Sequence, residues 1–334
     1  MKLLFDMVNF RTEITPDPPG IDITHGDKLM AMGSCFVENI GALLMGYKFN
    51  LLLNPFGVLY NPLSIAQSIH HLIEEKKVTE ADLFSINDLW TNYAFHSRFS
   101  SPVKTEALKK MRETTTSAAR RIREADILII TLGTAWVFRL KATNEVVANC
   151  HKVPAKAFHH QLATSNEIVA AMKEALGKLR SVNPGIKFIF TVSPIRHWKD
   201  GPVNNQLSKS TLFVALHYLL SEMDNVYYFP SYEIMLDDLR DYRFYEADMI
   251  HPNEQAIDYI WQKFSHVFFN SNTQSLMKEV QKIRQAASHR PFNPNTEVHQ
   301  AFLRNQLQKI KNLQNEYGNL DFSHEVGVFK EQLR

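Results

Sequence analysis

Cysteine is nearly absent. Cys35 and Cys150 are the two in 334 residues, enough for one disulfide at most. One bridge adds little to a core of this size, so a disulfide framework is excluded as the organising idea and reduced thiols are expected. Charge of one sign is missing too: thirty-seven Lys and Arg stand against thirty-five Asp and Glu, a net +2. That balance leaves no electrostatic footprint for a phosphate backbone, and no nucleic-acid partner is expected. No run reaches eighteen uncharged apolar residues, so no helical membrane span is expected. The opening MKLLFDMVNF breaks its apolar stretch at Asp6, too early for a secretory signal, and a cytoplasmic protein is expected. Repeats and low-complexity segments are also lacking. What remains is an ordinary globular composition, 45% apolar and 22% charged, long enough for one large domain or two modest ones.

The chain alternates strand and helix signals. Pro16, Pro18, Pro19 and Gly20 keep residues 1–27 an arm of turns and extended pieces. Residues 28–32 form a short apolar run that stops at Gly33-Ser34, and Val37, Ile40 and Leu44 then repeat at helical spacing. Residues 47–53 read as a strand closed by Asn54-Pro55-Phe56-Gly57. Pro62 suits the first turn of a helix to about Ile73. A long helix is expected from Pro102 to Arg123. ADILIIT, residues 125–131, is short, branched and continuously apolar, as a parallel strand covered on both faces should be. Thr164 and Glu167 have capping-box spacing for a helix to about Arg180. A strand is expected at 186–192, a helix at 205–222, a short strand at 226–229, and a helix opened by Pro252. Ser271 and Gln274 offer a second capping box. Leu276, Val280 and Ile283, then Leu303, Leu307, Ile310, Leu313 and Tyr317, trace two further helices. The repeated alternation predicts a layered α/β domain over residues 1–270. A helical extension over 271–334 is expected either to pack on that core or to form a homo-oligomeric subunit contact.

Several polar groups sit where chemistry is done in such folds. Ser34 lies between a strand end and a helix start, where a serine can attack a carbonyl while backbone amides hold the oxyanion; it is equally a favoured helix N-cap. Asp248 and His251 stand three apart before Pro252. A turn there can let the carboxylate orient the imidazole, which would take the serine proton; capping of the next helix is the alternative. Gly133, in Thr131-Leu132-Gly133-Thr134-Ala135-Trp136, can bring backbone close to a ligand or form a plain tight turn. Cys35 is a rival nucleophile whose thiol, on a first helical turn, is expected to ionise more easily. No G-x-S-x-G elbow occurs.

Met32-Gly33-Ser34-Cys35-Phe36 resembles the signature of the GSCFA domain family. Asn54 to Pro62, Leu132 to Trp136, Asn149 to Pro154, Ser193 to His197, Asn205 to Lys209 and Tyr242 to Pro252 resemble further blocks of that family in the same order. The likeness spans about residues 20–265. The family is grouped with the SGNH (GDSL) hydrolase-like superfamily, which implies a three-layer α/β/α sandwich with a central parallel sheet. It also implies a triad matching Ser34, Asp248 and His251, with an oxyanion hole made by the serine amide, a glycine amide matching Gly57 and a third-block asparagine. Here the third block reads Gly133-Thr134-Ala135-Trp136, and Ala135 has no side-chain donor. The side chain of Asn54 and the amide of Thr134 are the expected substitutes. An unreplaced donor would cost about 3–4 kcal/mol of transition-state stabilisation.

Other residues admit two readings. His151 belongs to a family block and is expected near the pocket. With Cys150, His159 and His160 it makes four possible metal ligands, but the spacing fits no zinc pattern and no metal is expected. His96 suits a pocket rim or a structural bond. Arg196, beside His197 at a carboxyl edge, suits a substrate carboxylate or phosphate, or an ion pair with Glu233, Asp237 or Asp238. The run from Asp237 to Arg243 reads as an ion-pair network. Ser208 and Lys209 read as a helix-start feature rather than a catalytic dyad. Together these readings predict a cofactor-independent serine esterase acting on a small-molecule or carbohydrate ester, with O-acyl transfer by the same triad as one alternative. A non-catalytic binding or scaffold protein on a hydrolase-like fold is the other.

Overall fold

The computed structural model describes residues 11–334, so the first ten residues of the expected arm lie outside the described residues. Strand β1 (Lys28–Gly33) leads into helix α1 (Cys35–Gly46) and strand β2 (Asn50–Leu53). The β2 strand is shorter than the sequence suggests, because Tyr47 still closes α1 and Lys48 takes a φ of 70°. Helix α2 (Pro62–Ile73) follows, its Ser64 amide held by the Asn61 side chain. A hairpin of β3 (Phe84–Ile86) and β4 (Leu89–Thr91) turns on Asn87 and Asp88, both at positive φ as a tight hairpin requires. Helix α3 (Lys104–Glu124) starts two residues beyond Pro102 and feeds β5 (Ile127–Leu132).

Next come β6 (Trp136–Leu140), β7 (Val146–Val147) and β8 (Phe158–Leu162), a small antiparallel sheet of its own. Helix α4 (Ser165–Val182) is capped by Thr164 as expected. Strand β9 (Lys187–Val192), helix α5 (Pro202–Glu222) and strand β10 (Val226–Tyr228) complete the alternation. A short α6 (Ser231–Glu233) widens into a π-turn over Ile234–Asp238. Helix α7 (Glu254–Phe268) is capped by Asn253, so Pro252 stands before the cap, in a bridge to Tyr245.

The central sheet is parallel throughout, in the order β10-β9-β5-β1-β2. Alternation along its strands splits the core in two. Leu29, Ala31, Ile127, Ile129 and Ile189 meet α1 and α7 on one face. Met30, Met32, Leu128, Ile130, Phe188 and Phe190 meet α2, α3, α4 and α5 on the other. Each large side chain so buried contributes about 1.5–3 kcal/mol. The result is a three-layer α/β/α arrangement, and both cysteines are free.

Helices α8 (Ser271–Ser288), α9 (Glu297–Tyr317) and α10 (Ser323–Gln332) form the carboxyl-terminal part. The cap of α8 is Asn270, one residue before the expected Ser271. Leu276, Val280, Leu303, Ile310, Phe322 and Phe329 share a small core of their own. Contacts to the α/β part run through the loop after α1 and the segment before β1. Lys48 Nζ lies 2.8 Å from both oxygens of Glu325, Arg284 stacks over Tyr47, and the Asn319 amide donates to the His25 carbonyl.

Candidate functional site

The carboxyl end of β1 is crowded by β5. A side-chain carbon on Gly33, whose φ is 142°, would stand 2.2 Å from the Thr131 carbonyl oxygen, so a glycine is required. The chain then turns at once into α1 through Ser34, which has extended backbone at the N-cap position. Its side chain makes no cap hydrogen bond. The hydroxyl is buried and has no hydrogen-bond partner among the described residues. Leaving a buried polar group unpaired costs about 1–3 kcal/mol, a cost Ser34 shares with the Thr131 hydroxyl beside it. The Ser34 amide is donated to the Thr131 carbonyl at 3.1 Å.

The loop from Asn54 to Asn61 wraps this strand end. Asn54, at φ 41°, accepts the Gly33 amide on Oδ1 at 2.9 Å and directs Nδ2 toward Glu38 at 3.4 Å. Gly57, at φ 85°, packs so tightly on His96 that any Cβ would sit 2.1 Å from the histidine Cβ. Its amide goes to the Asn54 carbonyl at 2.8 Å. Leu59 donates to the Gly33 carbonyl, and the Tyr60 carbonyl accepts both the Gly133 and Thr134 amides, at 2.8 and 2.9 Å. Asn54 and the Gly133–Thr134 pair are therefore tied to Ser34's strand end, and Gly57 is tied to Asn54. The amides of Ser34, Gly57 and Thr134 are all spent on internal carbonyls.

Beneath them lies a feature the sequence reading did not single out as functional. Lys209 is fully buried and donates from Nζ to the carbonyls of Gly133 and Ser193, each at 2.7 Å. Among the described residues no carboxylate pairs with it, and burial pulls its pKa down to about 7. Its neighbour Ser208 bonds Thr134 Oγ1 at 2.9 Å and accepts the Ala135 amide at 2.8 Å. The two residues thus lie in the second turn of α5 and buttress the third block; they form no dyad and no helix start.

His197 completes this cluster. A Cβ built on Gly133 would meet Ser34 Cβ at 3.1 Å and His197 Nε2 at 3.2 Å. The histidine amide is held by Asn205 Oδ1 at 2.9 Å, and its ring stands edge-on to Tyr60. Burial first, then the charges of Lys209 and His251, pull its pKa down to about 4, so the ring is neutral at pH 7.

Asp248 and His251 form a tight unit. The turn carries Met249 at φ 58° and is pinned by a Glu246 amide donating to the His251 carbonyl at 2.8 Å. Asp248 Oδ1 accepts the amides of Ile250 and His251, and its Oδ2 accepts His251 Nδ1 at 2.5 Å. The His251 amide and imidazole, then the Ile250 amide, hold the carboxyl down to about 2. Both side chains are half-exposed. Nothing bonds the Ser34 hydroxyl to His251 in this conformation.

The remaining candidates settle elsewhere. His151 is buried, with Nε2 donating to the Asn92 carbonyl at 2.9 Å and Nδ1 3.0 Å from Thr91 Oγ1 and 3.4 Å from Ser97 Oγ. It ties its own positive-φ loop to β4. His96 caps the short turn after it by accepting the Arg98 amide. Arg196 makes no ion pair among the described residues. Its expected partners are engaged otherwise: Glu233 with Tyr228, Asp237 with Arg240, and Asp238 with Arg11 and Tyr259. Those pairs and Asp241–Arg243 make the 237–243 run the expected ion-pair region. The Cys35 expectation is corrected: burial pushes its thiol up, not down, outweighing the helix start. Burial likewise pushes Cys150 up to about 11. Among the described residues no group of three His, Cys, Asp or Glu could hold a metal ion, and no helix is long and apolar enough to cross a membrane. His160 stacks on Phe138 and faces Asp200, apart from His151. A hollow of about 710 Å³ opens between α2 and the β3–β4 hairpin, and none of Ser34, Asp248 or His251 lines it.

Fold and site thus define a three-layer α/β/α protein with a polar cluster at the carboxyl edge of its parallel sheet. The chain belongs to the GSCFA family: residues 28–264 match that family, and residues 280–334 match the GSCFA domain protein, C-terminal domain. Among solved structures it is similar to a carbohydrate esterase family 3 protein from Talaromyces cellulolyticus, at 12% identity and a TM-score of 0.35, over 77% of this chain and 99% of that one. Comparison with curated proteins gives no match.

Proposed function

We propose that this protein is a serine-dependent esterase in which Ser34, His251 and Asp248 act together. The observation that carries this reading is the 2.5 Å contact between Asp248 Oδ2 and His251 Nδ1, which leaves Nε2 free to accept a proton. A buried, unpartnered serine hydroxyl at the end of the first core strand supports it.

In this reading the Asp248–His251 turn closes on Ser34 when an ester binds. Ser34 Oγ attacks the carbonyl carbon while His251 takes its proton. The tetrahedral adduct collapses, the carbon–oxygen bond to the alcohol breaks, and His251 returns the proton to the departing alkoxide. Asp248 keeps the imidazole in the required tautomer and stabilises its charged form. Water then releases the acid from Ser34; an acceptor hydroxyl in its place would make the protein an O-acyltransferase. One observation favours a non-catalytic binding role instead: the amides of Ser34, Gly57 and Thr134 are all donated internally.

The test is labelling of the intact protein by a fluorophosphonate probe, compared with Ser34→Ala and Cys35→Ala. Labelling lost in Ser34→Ala alone is expected. An unlabelled wild type that still binds acylated sugars would favour the binding role. A panel of acyl esters, with and without sugar acceptors, separates hydrolysis from transfer.

A further inference from the structure

An ester-cleaving serine needs donors aimed at the developing oxyanion, and removing one costs about 10²–10³-fold in kcat. The amides of Ser34, Gly57 and Thr134 are donated to internal carbonyls, and Ala135 supplies no side-chain donor. His197 is the group that reaches the same space. A Cβ built on Gly133 would stand 3.2 Å from His197 Nε2, 3.1 Å from Ser34 Cβ and 2.8 Å from the Tyr60 carbonyl oxygen, so the histidine nitrogen and the serine side chain pack against the same bare backbone. We propose that His197 is the side-chain oxyanion donor of this site, giving its Nε2 proton to the carbonyl oxygen of an ester bound at Ser34.

The surroundings suit that task. The Asn205 Oδ1 contact to the His197 amide, the edge-on Tyr60 ring and the fully buried Lys209 hold the histidine and the Gly133 backbone in place. Lys209 and burial also keep the imidazole neutral at pH 7. A neutral imidazole this weakly basic can donate to an oxyanion and is poorly suited to take the serine proton. Among the described residues no carboxylate is hydrogen-bonded to its ring, in contrast to His251. The proton on Nε2 is shared with the oxyanion and returns to the imidazole when the adduct collapses, so no net transfer occurs.

This inference rests on the esterase reading, and the experiment separates the two. Fluorophosphonate labelling rates and ester kinetics are measured for wild type, His197→Phe and His197→Leu, which remove the donor, and His197→Gln, which keeps an N–H donor without a basic nitrogen. Loss of labelling in Ser34→Ala secures the esterase reading first. A fall of 10²–10³-fold in labelling rate and kcat for the donor-less variants, with KM within about threefold, is then expected. Recovery of at least tenfold by His197→Gln is expected too. Donor-less variants that label at the wild-type rate would overturn the donor role while leaving Ser34 in place. A His197→Gln as inactive as His197→Phe, with native thermal stability, would overturn it as well and make His197 a base.

Discussion

The carboxylate of Asp248 holds His251 by both its imidazole and its backbone amide. One oxygen meets the imidazole Nδ1 at 2.5 Å, and the other accepts the His251 amide and that of Ile250 just before it. The backbone therefore holds the carboxylate in place before the imidazole is counted, and the carboxyl stays ionised down to about pH 2.

Asp248→Asn is expected to lower kcat by about 10²–10⁴-fold, because an amide neither fixes the Nε2-accepting tautomer nor stabilises the imidazolium. KM should move by less than about threefold. Steady-state kinetics on an activated aryl ester check this; an unchanged kcat would remove Asp248 from the reaction.

Lys209 should leave a signature in alkali. Its folded pKa is about 7 against 10.5 for the free side chain. Between those values the unfolded chain holds a proton that the folded chain has given up, so stability rises with pH there, by at most about 1.4 kcal/mol per unit. Below pH 7 this gain is absent. Urea unfolding from pH 7 to 10 should show the rise in wild type and a flatter profile in Lys209→Met; parallel profiles would contradict the buried, charge-poor setting of the lysine.

Two glycines should respond oppositely to alanine. Gly33→Ala drives a Cβ to 2.2 Å from the Thr131 carbonyl at a φ of 142°, and a loss of about 3 kcal/mol or more is expected. Gly177, inside α4, meets nothing within 4 Å, and alanine there should gain about 0.5–1 kcal/mol. Thermal melts of the two variants test the pair; equal effects would contradict the close approach of β1 and β5.

Glu325 neutralises Lys48, whose Nζ also lies 5.2 Å over the Phe322 ring. Glu325→Ala strands a nearly buried cation between the helical extension and the α/β part, and a loss of about 3 kcal/mol is expected. The double variant Glu325→Ala with Lys48→Met should recover much of it. A neutral single variant in chemical denaturation would show that this contact does not hold the extension down.

Much of the architecture was legible because burial on both faces writes itself into sequence. ADILIIT and KFIFTV carry no alternation, and each is a central strand. Thr164 marked its helix start through a hydrogen bond that only local geometry decides. The small sheet escaped notice because Phe158–Leu162 is largely polar and pairs with Trp136–Leu140 across a long excursion, so its ladder owes little to hydrophobic pattern. Ser34, Asp248 and His251 stood out as polar groups beside chain breakers. His197 and Lys209 gain their meaning only when β1, β5 and β9 end side by side. The available signal for Lys209 was its solitude: it is the one Lys, Arg, Asp or Glu between Pro202 and Ser221 in α5. Spacing rules would have turned such a residue to solvent, and the fold turns it inward.

Everything chemical here depends on the Ser34 hydroxyl being the nucleophile. Mass spectrometry of the intact protein after fluorophosphonate treatment tests that directly. A single adduct is expected on a peptide containing Ser34, absent in Ser34→Ala and retained in Cys35→Ala. An adduct that persists in Ser34→Ala, or none in wild type while the protein remains folded, would refute the assignment.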